Sequence, residues 1–138
     1  MPVFIHHIIQ EYDPPEKEII PFLDTVIKAE NFSVGNINII YTDNKEILEL
    51  NKKYLQHNYY TDVITFDYTE ENILHGDVYI SLDKISENSK DYGTSFYNET
   101  LRVVIHGILH LMGYKDSTDE EKAQMRNKED HYLEQYYL

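Results

Sequence analysis

Residues 106–116 read HGILHLMGYKD, and the two histidines four positions apart, His106 and His110, are the chain's clearest candidates for chemistry. On a helix, residues i and i+4 project from one face a turn apart, so both imidazoles can converge on a single ion. Gly113 is a natural helix stop, after which the chain can reverse. The carboxylate six residues beyond His110, Asp116, then falls where a third ligand would complete an open metal site. A plainer reading has each histidine hydrogen-bonded to a carbonyl or a neighbouring acid on a buried helix. Against it, imidazole is a poor filler for an aliphatic helix, and two together need two partners. Zinc peptidases of the H-E-x-x-H type carry a general-base Glu directly after the first His. Here that position is Gly107, which argues against a peptidase.

The elements around this motif are readable from periodicity and punctuation. Phe96 to Met112 carries Val103, Val104, Ile105, Ile108, Leu109, Leu111 and Met112 around most of its circumference, predicting a central buried helix. Ser117-Thr118-Asp119-Glu120-Glu121 is an N-cap and acidic first turn, opening a last helix to the C-terminus. Upstream, Val3–Ile9, Gly35–Tyr41, Thr61–Tyr68 and Gly76–Leu82 read as strands, with Thr69–His75 a polar connection. Asp13-Pro14-Pro15-Glu16 starts a helix reaching about Asn31, with Pro21 inside it, and Asp43 with Glu46 caps a second carrying Ile47, Leu50, Tyr54 and Leu55. Asp83–Tyr92 is a modest helix ended by Gly93. The order points to an α+β domain: one small mixed four-stranded sheet packed with about five helices, the metal-site helix central.

At 138 residues a single domain over 1–138 is the expectation, and 41% hydrophobic with 27% charged residues describes an ordinary globular chain. With no cysteine, disulfide scaffolds, Cys-based zinc sites and thiol catalysis are excluded. No apolar run approaches a membrane span and no signal sequence opens the chain, so cytoplasm is the expected address and no membrane partner is implied. Twelve Lys and Arg stand against 25 Asp and Glu, a formal charge of −13. Tight non-specific nucleic-acid binding needs clustered cations, and Lys52–Lys53 is the only adjacent pair. The 13 tyrosines can stack bases or line a pocket, but most are expected half-buried with wet hydroxyls.

HGILHLMGY closely resembles the HGxLHLxGYDH signature of the YbeY family, bacterial metal-dependent single-strand endoribonucleases tied to ribosomal RNA maturation and ribosome quality control. Further blocks agree in order and spacing. Leu50-Asn51 and Tyr54, then Thr61-Asp62-Val63-Ile64-Thr65-Phe66, resemble LNxxYR…TDVLSF, and Gly76-Asp77-Val78-Tyr79-Ile80-Ser81 resembles a GDIxIS strand. Met125 and Glu129 suit the family's last helix, and the agreement spans residues 45–133.

The resemblance implies one zinc ion on three histidines at the first, fifth and eleventh motif positions. The first two are His106 and His110; the third is Asp116, with Lys115 where the pattern has Asp. Asp116 can ligate directly, ligate through a water, or mark a site that has lost its metal. Direct ligation is favoured because carboxylate oxygen is a normal zinc donor. A carboxylate also makes the bound water less acidic and shifts preference toward Mn, Fe or Mg. The family's Arg, which follows the Tyr of LNxxYR and acts at the phosphate, is replaced by Leu55; His57 and Lys53 are nearby substitutes. Asp62, Asp67 and Asp77 lie near the expected cleft but read better as strand ends and turns, so no general base is identified. The function implied is single-strand-specific endoribonuclease action in 16S rRNA processing, with single-stranded and ribosomal RNA, the ribosome or ribosomal proteins as partners and no DNA. The alternative is a non-catalytic ribosome-associated binding factor with a structural or vestigial metal site. A small-molecule metallohydrolase fits the ligands but not the other blocks.

Overall fold

The computed structural model describes residues 3–7, 16–55 and 61–137. Strands β1 (Val3–His7), β2 (Ser33–Thr42), β3 (Val63–Asp67) and β4 (Ile73–Ser81) form one sheet in the order β1-β2-β4-β3. The first two pairings are parallel and β3 runs antiparallel to β4, so the sheet is mixed, as expected. The register sets Ile37, Ile39 and Tyr41 of β2 beside Gly76, Val78 and Ile80 of β4, all buried on one face. On the opposite face a polar chain crosses three strands: His6 bonds Asn38 at 2.9 Å, and the Asn38 amide donates to Asp77 at 3.0 Å.

Among the described residues, five α-helices complete the fold: α1 (Glu16–Ala29), α2 (Asn44–Leu50), α3 (Leu82–Asp91), α4 (Phe96–Leu111) and α5 (Asp119–Tyr136). In α1, Ile19, Leu23, Val26 and Ile27 recur at helical spacing and are fully buried, and Pro21 lies inside the helix without ending it. The proposed cap at Asp13-Pro14, the strand residues Ile8 and Ile9, and His57 lie outside the described residues. Asp43 caps α2 as expected, accepting from the Glu46 amide at 2.9 Å. Beyond Leu50 the α-helix widens into a π-helical turn over Asn51–Leu55 rather than continuing regularly.

The polar stretch after β3 is shorter than its composition implied. Glu70 and Ile73 exchange backbone hydrogen bonds across Glu71, which takes the left-handed φ of 53°, so β4 begins at Ile73 instead of Gly76. Helix α4 is the central helix. Leu101, Val104, Ile105, Ile108, Leu109 and Leu111 are all buried on it, each worth about 1.5–3 kcal/mol of burial. It lies close over the sheet because Gly107 has no side chain: a Cβ there would sit 2.6 Å from a Val78 methyl. That approach fixes the height of the flanking His106 and His110 above β3 and β4.

Candidate metal centre

His106 and His110 stand one turn apart on the last two turns of α4, with their Nε2 atoms 2.9 Å from each other. The helix then closes as Gly113 and Tyr114 donate back to the carbonyls of His110 and Leu109. Gly113 adopts φ of +98°, which reverses the chain. The reversal returns Asp116, whose Oδ2 lies 3.2 Å from His106 Nε2 and 3.4 Å from His110 Nε2. One donor atom from each of the three residues lies within 4.8 Å of the others, a cluster able to hold a metal ion. Lys115, one residue earlier, is exposed.

The outer nitrogens decide what the inner ones offer. His106 Nδ1 is 2.6 Å from Glu129 Oε2 on α5, and His110 Nδ1 is 3.0 Å from the Tyr114 carbonyl. A carboxylate and a carbonyl both accept, so each Nδ1 carries the hydrogen and each Nε2 presents a lone pair. Two lone pairs facing at 2.9 Å repel unless a proton or a cation lies between them. With the Asp116 oxygen beside them, the donor set of two imidazole nitrogens and one carboxylate oxygen fits a divalent cation such as zinc. In the absence of an ion the two rings titrate unequally. Burial opposes protonation of His106, but the hydrogen bond and charge of Glu129 outweigh it and raise the pKa above 6.5. Burial, reinforced by the neighbouring His106, pushes His110 below 6.5.

Behind Glu129 stands Arg102 of α4. Its guanidinium donates to Glu129 Oε1 at 3.0 Å and to Asp130 Oδ1 at 2.7 Å. Glu129 is 5% exposed, so both its oxygens are spoken for inside the protein. The loop bearing Asp116 is held from the other side. Tyr114 donates its hydroxyl to Glu30 at 2.6 Å, and Tyr132 and Lys128 of α5 also bond Glu30. Burial alone would raise the Glu30 carboxyl, but the two phenols and Lys128 overcome it and hold it below 4.5. Two of the tyrosines thereby help to fix the loop whose carbonyl orients His110.

A cavity of about 310 Å³ opens beside His106, walled by Asp62, Glu99, Arg102, Asp116 and Glu129, with Asn88 between the first two. Glu99 is only 3% exposed; burial raises its carboxyl above 4.5, Arg102 opposes this, and Asp62 adds to it. Asp62, expected at a strand end, does sit there, yet its side chain also accepts from Asn88 at 3.3 Å on the cavity wall. Asp67 and Asp77 do not line that cavity: Asp67 bonds the Thr69 amide in a turn, and Asp77 is on the opposite sheet face. Leu55 is 40% exposed and Lys53 lies 5.2 Å from the Tyr54 ring centroid; neither lines the cavity. Sequence reasoning missed the roles of Arg102, Glu99 and Glu30. The signal for Glu129 was present, an acid in the buried α5 stripe of Met125, Tyr132 and Leu133.

The family model described as Endoribonuclease YbeY matches residues 7–137. Among similar proteins, Endoribonuclease YbeY of Flavobacterium psychrophilum is 44% identical over 123 residues, covering 89% of this chain and 88% of the relative. Endoribonuclease YbeY of Chlorobaculum tepidum is 51% identical over 108 residues, covering 78% of this chain and 79% of the relative. The solution structure of TM1509 from Thermotoga maritima superposes with a TM-score of 0.71 at 31% identity, covering 98% of this chain and 89% of that one. The family model over most of the chain and relatives at 44% and 51% identity settle the membership: the chain belongs to the YbeY family of endoribonucleases.

Proposed function

We propose that the chain is a metal-dependent endoribonuclease that cuts single-stranded RNA, with His106, His110 and Asp116 as the metal ligands. Zinc is the proposed ion, and maturation of 16S ribosomal RNA with ribosome quality control, in the cytoplasm, is the proposed setting; ribosomal RNA, the ribosome or ribosomal proteins are the partners. The family membership supports an RNA substrate, and one observation carries the site: two Nε2 lone pairs aimed at one point beside a carboxylate, each fixed by an acceptor on its outer nitrogen. Mn, Fe or Mg remain accessible to a site with a carboxylate ligand. A divalent cation bound there supplies Lewis-acid polarisation of a phosphoryl oxygen and lowers the pKa of a coordinated water.

The chain's own residues supply the rest. Glu129 and the Tyr114 carbonyl hold the imidazoles in the ligating tautomer. Asp62 and Glu99, on the cavity wall beside His106, are placed to accept a proton from the attacking oxygen or return one to the leaving oxygen. Burial makes Glu99 more readily protonated than an ordinary Glu, the property an acid needs. The non-catalytic ribosome-binding reading is favoured by one observation, Leu55 where the family pattern carries Arg.

Elemental analysis of untagged protein purified without chelator, followed by a single-stranded RNA cleavage assay with His110→Ala alongside, tests the proposal. Near-stoichiometric metal and cleavage lost in the variant are expected. Metal-free protein that fails to take up zinc refutes the centre. Metal-loaded protein that leaves RNA intact but associates with ribosomes in a salt-sensitive way selects the binding-factor reading.

A further inference from the structure

The cavity beside His106 poses an electrostatic problem for a ribonuclease. Its wall holds four carboxyl groups, Asp62, Glu99, Asp116 and Glu129, in a chain of formal charge −13, while the substrate is a polyanion. Leu55 brings no compensating charge, and Arg102 is already committed to Glu129 and Asp130. The cavity nevertheless has two other cations, Lys122 and Arg126 of α5. Neither forms an ion pair among the described residues, although Asp119 and Asp130 lie within about one turn.

Their direction is fixed by the residues between and beyond them. Lys122, Met125, Arg126 and Glu129 follow one another at i, i+3, i+4 and i+7, a single helix face. Met125 is 2% exposed and Glu129 5%, the latter bonded to His106, so the rotation of α5 about its axis is set. That rotation leaves Lys122 and Arg126 on the cavity rim, separated by about 6 Å of helical rise. We propose, resting on the ribonuclease reading, that Lys122 and Arg126 form a phosphate-binding subsite for the RNA strand on the α5 side of the metal cavity. They supply from this wall the cationic contact that Leu55 cannot supply from the end of the π-helical turn. Arg126 offers a planar fork suited to two phosphate oxygens, and Lys122 a mobile point charge for the adjoining phosphate.

The test uses zinc-loaded protein and a short labelled single-stranded RNA. Binding and cleavage are compared for wild type, Lys122→Ala/Arg126→Ala, and a charge-matched control, Lys28→Ala/Lys45→Ala, on α1 and α2. Each lost phosphate contact should lower the slope of log affinity against log salt by about 0.7. Between about 50 and 200 mM salt, wild type should therefore lose about seven-fold more affinity than the double variant. KM should rise in the double variant, with zinc content unchanged and the control close to wild type. Wild type that binds and cuts while the double variant keeps its salt slope and KM overturns the subsite. Equal losses in the control also overturn it, because net charge and not position would then explain the effect. Zinc-loaded wild type that neither binds nor cuts RNA overturns the ribonuclease reading itself, and the subsite with it.

Discussion

Replacing Glu129 with Gln asks whether a buried acceptor on α5 decides the ligating state of His106. Glu129 receives two donors, the Arg102 guanidinium at 3.0 Å and His106 Nδ1 at 2.6 Å. A glutamine has one acceptor oxygen and one donor nitrogen, so one of those two contacts becomes donor against donor. If the amide nitrogen faces His106, the ring relieves the clash by moving its hydrogen from Nδ1 to Nε2, which removes the lone pair that would bind the ion. If it faces Arg102, a buried guanidinium loses a charged partner. Loss of an outer partner of a metal-ligating His typically costs 10–100-fold in metal affinity. Zinc affinity from chelator competition should accordingly weaken by about 10–100-fold in Glu129→Gln. Stabilisation by a fixed, saturating zinc concentration should shrink by about 1.4–2.7 kcal/mol, read from thermal melts with and without zinc. Asp130→Asn is the matched control: it touches Arg102 from an exposed position and should leave zinc affinity within a few-fold. A folded Glu129→Gln protein with wild-type zinc affinity would refute the tautomer argument.

Zinc affinity should fall on acidification: His106 has its pKa raised above 6.5, so the ion displaces a proton there, and affinity should drop about ten-fold per pH unit below that pKa. Because His110 is shifted below 6.5, a steeper second limb should follow at lower pH, visible in the same competition assay. Glu30 has a lowered pKa, so its contribution to stability is present above about 4.5 and is lost as pH falls through the lower folded value. Glu30→Gln should flatten this acid limb in melts taken from neutral pH to pH ~3. Gly107→Ala places a methyl 2.6 Å from Val78 and 3.4 Å from Val63, and should cost about 1–3 kcal/mol and several degrees of Tm. Asp116→His, which replaces the proposed carboxylate ligand with an imidazole, should raise the ratio of zinc to manganese affinity; an unchanged ratio would show that Asp116 does not ligate.

What could be read from the chain in advance divides along a physical line. Local rules worked where the determinant was local: Asp43 and Glu46 cap α2, Thr118 and Glu121 form the capping box of α5, and the aliphatic run of α4 is the buried helix it looks like. The return of Asp116 to the histidine pair is local too, since six residues and one left-handed Gly113 suffice. The start of β4 was misplaced because its first residues are stabilised by the tight Glu70–Ile73 reversal and not by an apolar pattern. Glu129 stands out as an acid in the buried α5 stripe, but which ligand each orienting partner serves was not legible. Glu129 meets His106 across 23 residues and Glu30 meets Tyr114 across 84, distances over which spacing carries no information. Glu99 was hidden differently: in the first turn of α4 an acid is explained by the helix dipole, and only its 3% exposure shows that it belongs to the cavity.

Glu30, far upstream of the histidine motif, anchors the loop that carries both Asp116 and the carbonyl on His110. The proposed metal centre therefore rests on three separate constraints converging on one loop and one helix face. Gly107 sets how close α4 comes to the sheet, Glu129 sets the His106 tautomer from α5, and Glu30 fixes Tyr114 from the end of α1. These three contacts restrict the freedom that His106, His110 and Asp116 would otherwise have, which is what the proposed site requires. Variants at Gly107, Glu129 and Glu30 should thus weaken zinc binding without touching a ligand, and by separate routes. Because the three residues share no direct partner, their effects on zinc affinity should add to within about 0.5 kcal/mol when combined.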